Sequence, residues 1–379
     1  MKNQKICIIG GGLTGLTTAL VLKNLNLDID IFLSEKKTTK KIDERSTAIS
    51  NSNFVFLKSN IKSLNQNIFW PSKKINLYYE DKNKYSNFLN FEEKNEYLIH
   101  IFKNYKYKNN LLKKLNCKNI RIINKEITEI NHKSGFVKSN RKKFNYDLVL
   151  VCLGAKSNLY NKLIGSRAIK KNYKEMSITG NIKNNFNITC PAQYFSKEGP
   201  IAILPYEKNK TSFVWSLDQD IYFKNKNNLK KLINNKLSAI LQSQKKFKII
   251  NFQSYPLNLN LQSKYFKNNI LVLGEGIHSI HPVAGQGFNL ILRDIKKLYE
   301  LLNYNLKLGL TIKNSLIAKN FFNIRKPENI LFGIGIDLTR VFFKYNKQLQ
   351  PFQNILLRNI NKNKIVQKIG KLIADKGLI

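Results

Sequence analysis

The sequence predicts an α/β fold: a Rossmann-like domain, a β-sheet-rich domain inserted into it, and a C-terminal helical segment. Three observations carry this. The chain opens β-α-β across a glycine turn. Apolar strands of the buried, parallel kind return far downstream at 146–154 and 270–273. Between them, from about 166 to 265, the text is mostly strand-like.

The elements follow in order. Residues 5–9 form a short apolar strand, and Gly10-Gly11-Gly12-Leu13-Thr14-Gly15 turns the chain. A helix over 16–25 places Leu16, Ala19, Leu20 and Leu22 on its apolar side, and Ile29, Ile31 and Leu33 alternate as the next strand. After strand-like fragments at 75–98 come a helix at 105–115, short strands within 120–137 and the strand at 146–154. The β-rich stretch is clearest at 176–180, 199–205 and 212–216, and a helix at 229–241 interrupts it. The strand at 270–273 leads through a glycine-rich loop to a helix at 288–302, and from 311 the chain reads as helical. The glycine turn and the strands near 150 and 270 are expected to share one sheet.

Composition narrows the function classes. At 379 residues, 42% hydrophobic and 11% aromatic, the chain has material for two buried cores, which excludes wholesale disorder. No apolar run approaches the roughly 18 residues of a membrane span. A formal charge of +41 admits a nucleic-acid or membrane-surface role. The lysines are scattered, however, and crowd with Asn and Ile, the signature of an A/T-rich coding bias, so no nucleic-acid partner is expected. Cys7, Cys117, Cys152 and Cys190 show no CxxC spacing and suit a reducing cytoplasm, with no metal site.

Two motifs carry chemistry. Gly10, Gly12 and Gly15 form Gly-x-Gly-x-x-Gly between a strand and a helix, the context in which backbone approaches a dinucleotide pyrophosphate and a helix N-terminus supplies partial positive charge. The acid expected for the ribose falls at Leu33, with Glu35 two residues on as the candidate if the strand end shifts. The second motif spans 274–289. Four glycines and Pro282 lie there among His278, His281, Gln286 and Asn289, after a strand and before a helix, which suits an anionic or electron-rich ligand.

Together with the block Asp43-Glu44-Arg45-Ser46-Thr47-Ala48-Ile49-Ser50 these motifs resemble the flavin-dependent aromatic hydroxylases, and more narrowly the ubiquinone-biosynthesis hydroxylases of the UbiH/UbiF type. GPIAILPYEKNKTSFVWS at 199–216, FFKYN at 342–346, LLRN at 356–359 and Ala-Asp-Lys-Gly at 374–377 extend the resemblance over nearly the whole chain. It implies an FAD-binding domain over 1–70, 97–165 and 266–310, a substrate domain over 71–96 and 166–265, and a C-terminal helical segment over 311–379. It implies that Gly10, Gly12 and Gly15 hold the FAD pyrophosphate, that Arg45 lies near the flavin or pyrophosphate, and that Glu275 holds ribityl or ribose hydroxyls. Gly154 belongs to the same cofactor block. Pro282, Gly285, Gln286 and Gly287 line the isoalloxazine, with Asn289 at the helix start as a further cofactor-binding residue, and His278 or His281 deprotonates a phenol, orients the flavin, or simply bonds to backbone.

The implied activity is hydroxylation of a polyprenylated phenol or quinone precursor, with NAD(P)H as reductant and O2 as oxidant, alongside other ubiquinone-biosynthesis proteins. A cytoplasmic location is expected, free or peripheral on the cytoplasmic face of the inner membrane through the lysine-rich C-terminus. Three departures stand out. Glu275 replaces the family's Asp, Leu153 stands where the family has the Asp of Gly-Ala-Asp-Gly, and Leu33 replaces the ribose acid. Each lost charged hydrogen bond weakens cofactor affinity by about 1.5–3 kcal/mol. The rival readings are a hydroxylase of soluble aromatics, a flavin-dependent reductase of prenyl lipids, and a non-catalytic FAD-binding subunit.

Overall fold

In a computed structural model, the described residues are 4–33, 42–81, 84–131, 136–139, 142–154, 157, 159–165, 168–241, 246–282, 285–313, 315–343 and 375. The first sheet joins strands distant in sequence, in the order Phe266–Lys267, Ile270–Val272, Leu148–Val151, Gln4–Ile9, Leu27–Phe32 and Ile120–Ile123. All its pairings are parallel except the antiparallel edge at Phe266–Lys267. One row of partners, Ile122, Ile31, Ile8, Leu150 and Leu271, crosses the five parallel strands. The glycine turn and the two downstream apolar strands therefore do share a sheet.

The strand Leu27–Phe32 does not alternate: five of its six residues are buried, because both faces of a parallel sheet are covered. The helix after the glycine turn runs Leu13–Leu22, three residues earlier than expected, since Gly12 in extended backbone is its N-cap. Gly15 through Leu22 are all buried. Its polar side is not solvated, because helices Asn104–Lys113 and Gln286–Lys307 pack on it from other directions.

The second sheet has eight strands in the order His278–Ser279, Phe247–Gln262, Ala168–Asn184, Lys210–Asp218, Ile201–Glu207, Ala192–Phe195, Lys74–Asp81 and Lys84–Glu92. Its core holds Trp215, Phe213, Ile178 and Ile203, against which Leu229–Ile240 lays Ile233 and Leu237. A third, three-stranded sheet pairs Ser46–Ser50 with Ile99–Lys103 and that strand with Phe69–Ser72. This sheet and the helix Asn51–Asn60, capped by Ser50, were not foreseen from the sequence.

The short strand His278–Ser279 pairs Leu261 with His278 and Asn260 with Ser279. The loop that leaves the first sheet after Ile270–Val272 thus becomes the edge of the second, and this positions the site. The expected C-terminal helix is Ser315–Phe343; it packs on Gln286–Lys307 and on Phe266–Lys267. Of 344–379 only Asp375 is described, so the motifs at 356–359 and most of 374–377 lie outside the described residues, as do Ser34–Lys41 with Glu35.

Candidate active site

A cavity of about 1300 Å³ opens between the two large sheets, beyond the roughly 300–1,000 Å³ of an ordinary small-molecule pocket. Its two ends differ in chemistry. One is made of backbone and polar groups from the glycine turn, the segment after Ile42, Leu153-Gly154 and the loop 275–289. The other is mainly apolar, with Ile75, Leu77, Phe91, Ala202, Leu204 and Val214 contributed by the second sheet, and Ser177, Thr179 and Gln193 of the same sheet among them.

The glycine turn is built to bring backbone to this cavity. Gly10 has φ +130°, and a Cβ on it would stand 2.3 Å from the Cys152 carbonyl oxygen. It is therefore fixed by the fold. Gly12 is the opposite case, since a Cβ there meets no protein atom within 4 Å, and it lines the cavity. Helix Leu13–Leu22 begins at Gly12 with no side-chain cap, so its first N–H groups are free to receive an anion. The loop 274–276 abuts this helix start, because a Cβ on Gly274 would lie 2.9 Å from Thr14.

The loop ends at a second uncapped helix. Gly285, at φ +65°, is the left-handed N-cap of Gln286–Lys307, and Gly287 again has open space where a Cβ would stand. Gln286 Oε1 is buried with no hydrogen-bond partner among the described residues. Glu275 reaches the same cavity, its Oε2 3.9 Å from the Cβ position of Gly154. Arg45 holds Asp43 by two 2.8 Å bonds and sits over the Tyr255 ring. The Asp43 bond raises the Arg45 pKa against the opposing effect of burial, with smaller help from the Asp43 and Glu275 charges.

The structure therefore gathers Gly12, Arg45, Gly154, Glu275, His278, Pro282, Gly285, Gln286, Gly287 and Asn289 around one cavity, with Gly10 and Gly15 behind Gly12. Val283 and Ala284 of the same loop are outside the described residues. Leu33 packs against the core of the first sheet, its N–H bonded to Ile123 O at 2.9 Å, and Glu35 lies outside the described residues.

Three side chains have partners that the sequence did not reveal. Asn289 does not offer its side chain to a ligand. Its Oδ1 accepts from Ser50 N and Asn53 Nδ2 (both 2.8 Å) and its Nδ2 donates to Ala48 O (3.1 Å) and Gly285 O (3.2 Å), which uses all four bonds an amide can make. It rivets the 46–50 strand to the glycine loop. His281 is fully buried away from the cavity, 2.8 Å from Glu175 Oε2, and Arg340 holds the other oxygen of that carboxylate. His278 lines the cavity, but its Nε2 is 2.6 Å from Asp294 Oδ2. Both histidines thus bond to buried carboxylates. Those carboxylates come from 16 and 106 residues away in sequence, which is why local spacing did not reveal them.

Asp294 is a hub. It is wholly buried, and it also accepts from Arg325 Nε at 2.6 Å and from Asn329 Nδ2 at 3.2 Å, which ties the glycine loop to the C-terminal helix. Burial opposes its charge, but Arg325 and His278 outweigh burial and hold its pKa below the ordinary carboxylate value. The available signal was a charged pair, Arg293-Asp294, inside the apolar run from Leu290 to Ile295. Asp375 also reaches the cavity wall and accepts from Ser52 N at 2.9 Å at the start of helix Asn51–Asn60.

Comparison with known proteins agrees with this geometry. The family model described as FAD binding domain matches residues 140–308. Ubiquinone hydroxylase UbiL of Rhodospirillum rubrum is 30% identical over 164 residues, 40% of this chain and 36% of that protein. Ubiquinone biosynthesis monooxygenase COQ6 of Dictyostelium discoideum is 34% identical over 119 residues, 30% of this chain and 24% of that protein. The chain thus spans about a quarter to a third of the length of these curated relatives. The solved structure of p-nitrophenol 4-monooxygenase PnpA from Pseudomonas putida superposes with a TM-score of 0.79 at 14% identity, covering 98% of each chain. The chain thus carries a match to an FAD-binding domain over residues 140–308, is similar over part of its length to ubiquinone-biosynthesis hydroxylases, and shares the fold of p-nitrophenol 4-monooxygenase.

Proposed function

We propose that this protein is an FAD-dependent monooxygenase that hydroxylates the aromatic ring of a polyprenylated ubiquinone precursor, using NAD(P)H and O2. The observation that carries the reading is one large cavity lined on one side by glycine-rich backbone and polar groups and on the other mainly by apolar side chains. Its polar end fits FAD: two uncapped helix starts face it, Gly12 and Gly287 leave the volume a side chain would fill, and the buried Gln286 Oε1 has no donor among the described residues. When bound, FAD supplies the redox and oxygen chemistry.

The chain's own residues then have defined tasks. The N–H groups at Gly12 and Leu13 receive the pyrophosphate, and Arg45 lends positive charge nearby. Glu275 accepts from sugar or ribityl hydroxyls. Pro282, Gly285, Gln286 and Gly287 shape the ring pocket, and Asn289 holds the loop against Ala48 and Ser50. Gly154 keeps the approach to Glu275 open. His278, fixed by Asp294, is the described histidine on the cavity wall and the one placed to orient a bound ring. The apolar end seats a hydrocarbon tail and excludes water from the ring. Incubation with FAD, NAD(P)H and a prenylated phenol tests the reading: O2 uptake with a hydroxylated product is expected, and the absence of both overturns it.

One observation supports a peripheral membrane position. Helix Ser315–Phe343 exposes Leu316, Leu331, Ile334, Leu338 and Val341 on a chain of net charge +41, which suits an anionic bilayer surface. No helix among the described residues is long and apolar enough to cross a membrane. Flotation with anionic liposomes at low salt and release at high salt is expected; no flotation at either salt removes this part.

A further inference from the structure

Ser46 and Thr47 both line the cavity, and the hydrogen-bond network behind them decides what they can bind. The first chain starts at Lys103, which is 2% exposed and donates to Glu44 O and, at 2.7 Å, to Asn181 Oδ1. An ammonium has only donors, so the Asn181 atom facing it is the carbonyl oxygen. Asn181 Nδ2 accordingly donates to Asn251 Oδ1 at 2.7 Å. Ser212 spends its proton on the same Asn181 oxygen at 2.7 Å. The 2.6 Å contact between Ser46 and Ser212 then has one direction: Ser46 donates and Ser212 accepts.

The second chain starts from the opposite charge. The Asp43 carboxylate, held by Arg45, has only acceptors, so Asn104 turns its Nδ2 toward Asp43 Oδ2 at 3.0 Å. Asn104 Oδ1 is left facing Thr47 Oγ1 at 2.6 Å and takes its proton. Two independent chains, one ending on a buried cation and one on an anion, thus turn both hydroxyl protons away from the cavity. Only lone pairs remain toward it.

We propose that the Ser46 and Thr47 hydroxyls, on alternate faces of their strand, are each acceptor-only, so that the one that meets the ligand selects a neutral O–H or N–H and rejects a deprotonated oxygen there. The inference rests on the reading of the cavity as a site for FAD and a phenol. The donor is either the substrate's phenolic O–H, which then binds un-ionised, or a ring N–H of the flavin. Burial pulls Lys103 down to about 8, so the network is set as described at pH 7.

The test compares matched ligands at pH 7 on wild type, Ser46→Ala and Thr47→Val. A prenylated phenol is paired with its methyl ether, and FAD with FAD methylated at the ring N–H. Wild type should prefer the unmethylated member of one pair about three- to tenfold, the worth of one neutral hydrogen bond, and that preference should collapse in the variants. The pair that responds identifies the donor. Preferences unchanged in both variants overturn the inference. Ser46→Gly replaces Ser46→Ala if the latter fails to fold, and equal binding within both pairs by wild type alone also overturns it. A wild type that binds neither FAD nor the phenol refutes the reading of the cavity itself. Normal binding with unaltered preferences refutes only the acceptor-only hydroxyls.

Discussion

Two glycines of one motif should fail in opposite ways. Gly12→Ala places a methyl where no protein atom lies within 4 Å, on backbone at φ −82° and ψ −179° that alanine adopts freely. Stability without cofactor should change by no more than about 1 kcal/mol, the difference between glycine and alanine at an N-cap. The same methyl projects into the volume assigned to the pyrophosphate, so FAD affinity should fall at least about tenfold, or roughly 1.4 kcal/mol. Gly10→Ala forces φ +130° on an L-residue and drives its Cβ to 2.3 Å from the Cys152 carbonyl oxygen, on the neighbouring central strand. Left-handed strain and overpacking together should cost about 2–5 kcal/mol of folding stability whether or not FAD is present. Urea unfolding of the cofactor-free protein, with FAD titration followed by flavin fluorescence, separates the two. A Gly12→Ala protein that binds FAD as wild type does, or a Gly10→Ala protein as stable as wild type, would refute the assignment of these two roles.

Three further substitutions probe the supports of the site. Asn289→Ala removes four hydrogen bonds and strands the buried Ser50 N–H and Ala48 carbonyl, so thermal or urea unfolding should show a loss of about 3–5 kcal/mol. Asp294→Ala leaves Arg325 buried without its main carboxylate partner, at a cost of about 3–5 kcal/mol. Because the Asp294 pKa is depressed below its ordinary 3.8, that contribution is complete above pH 3.8 and fades as pH falls below it, and the wild-type advantage should narrow there. His100, stacked on Phe54 with ring centroids 3.7 Å apart, is pushed down by burial from 6.5 to about 4. It folds neutral, so its contribution is present above pH 6.5 and drains away, by about 3 kcal/mol, as pH falls toward 4. His100→Phe should flatten that part of the pH–stability profile, and an unchanged slope would contradict the assignment.

Much of the architecture was legible in the chain because its signals are local. Apolar runs such as Leu148–Val151 and Ile270–Val272 announce strands buried on both faces, and glycines between a strand and a helix announce a ligand approached by backbone. The strand Ser46–Ser50 and helix Asn51–Asn60 escaped notice because they are short, carry weak periodicity and are held by tertiary partners: Ile99–Lys103 on one side and the Asn289 amide on the other.

Sequence alone determined the strongly patterned strands and helices and which glycine loops lie open to a ligand, since side-chain periodicity and glycine's steric freedom act within a few residues. Only the tertiary structure decided what the polar side chains do. It paired His278 with Asp294 and His281 with Glu175, bound the Asn289 amide to the 46–50 strand, and brought Ser46 to Ser212 and Thr47 to Asn104. Hydrogen bonds and buried charges are satisfied by whatever the fold brings within about 3 Å, and that neighbour is set by packing, not by distance along the chain.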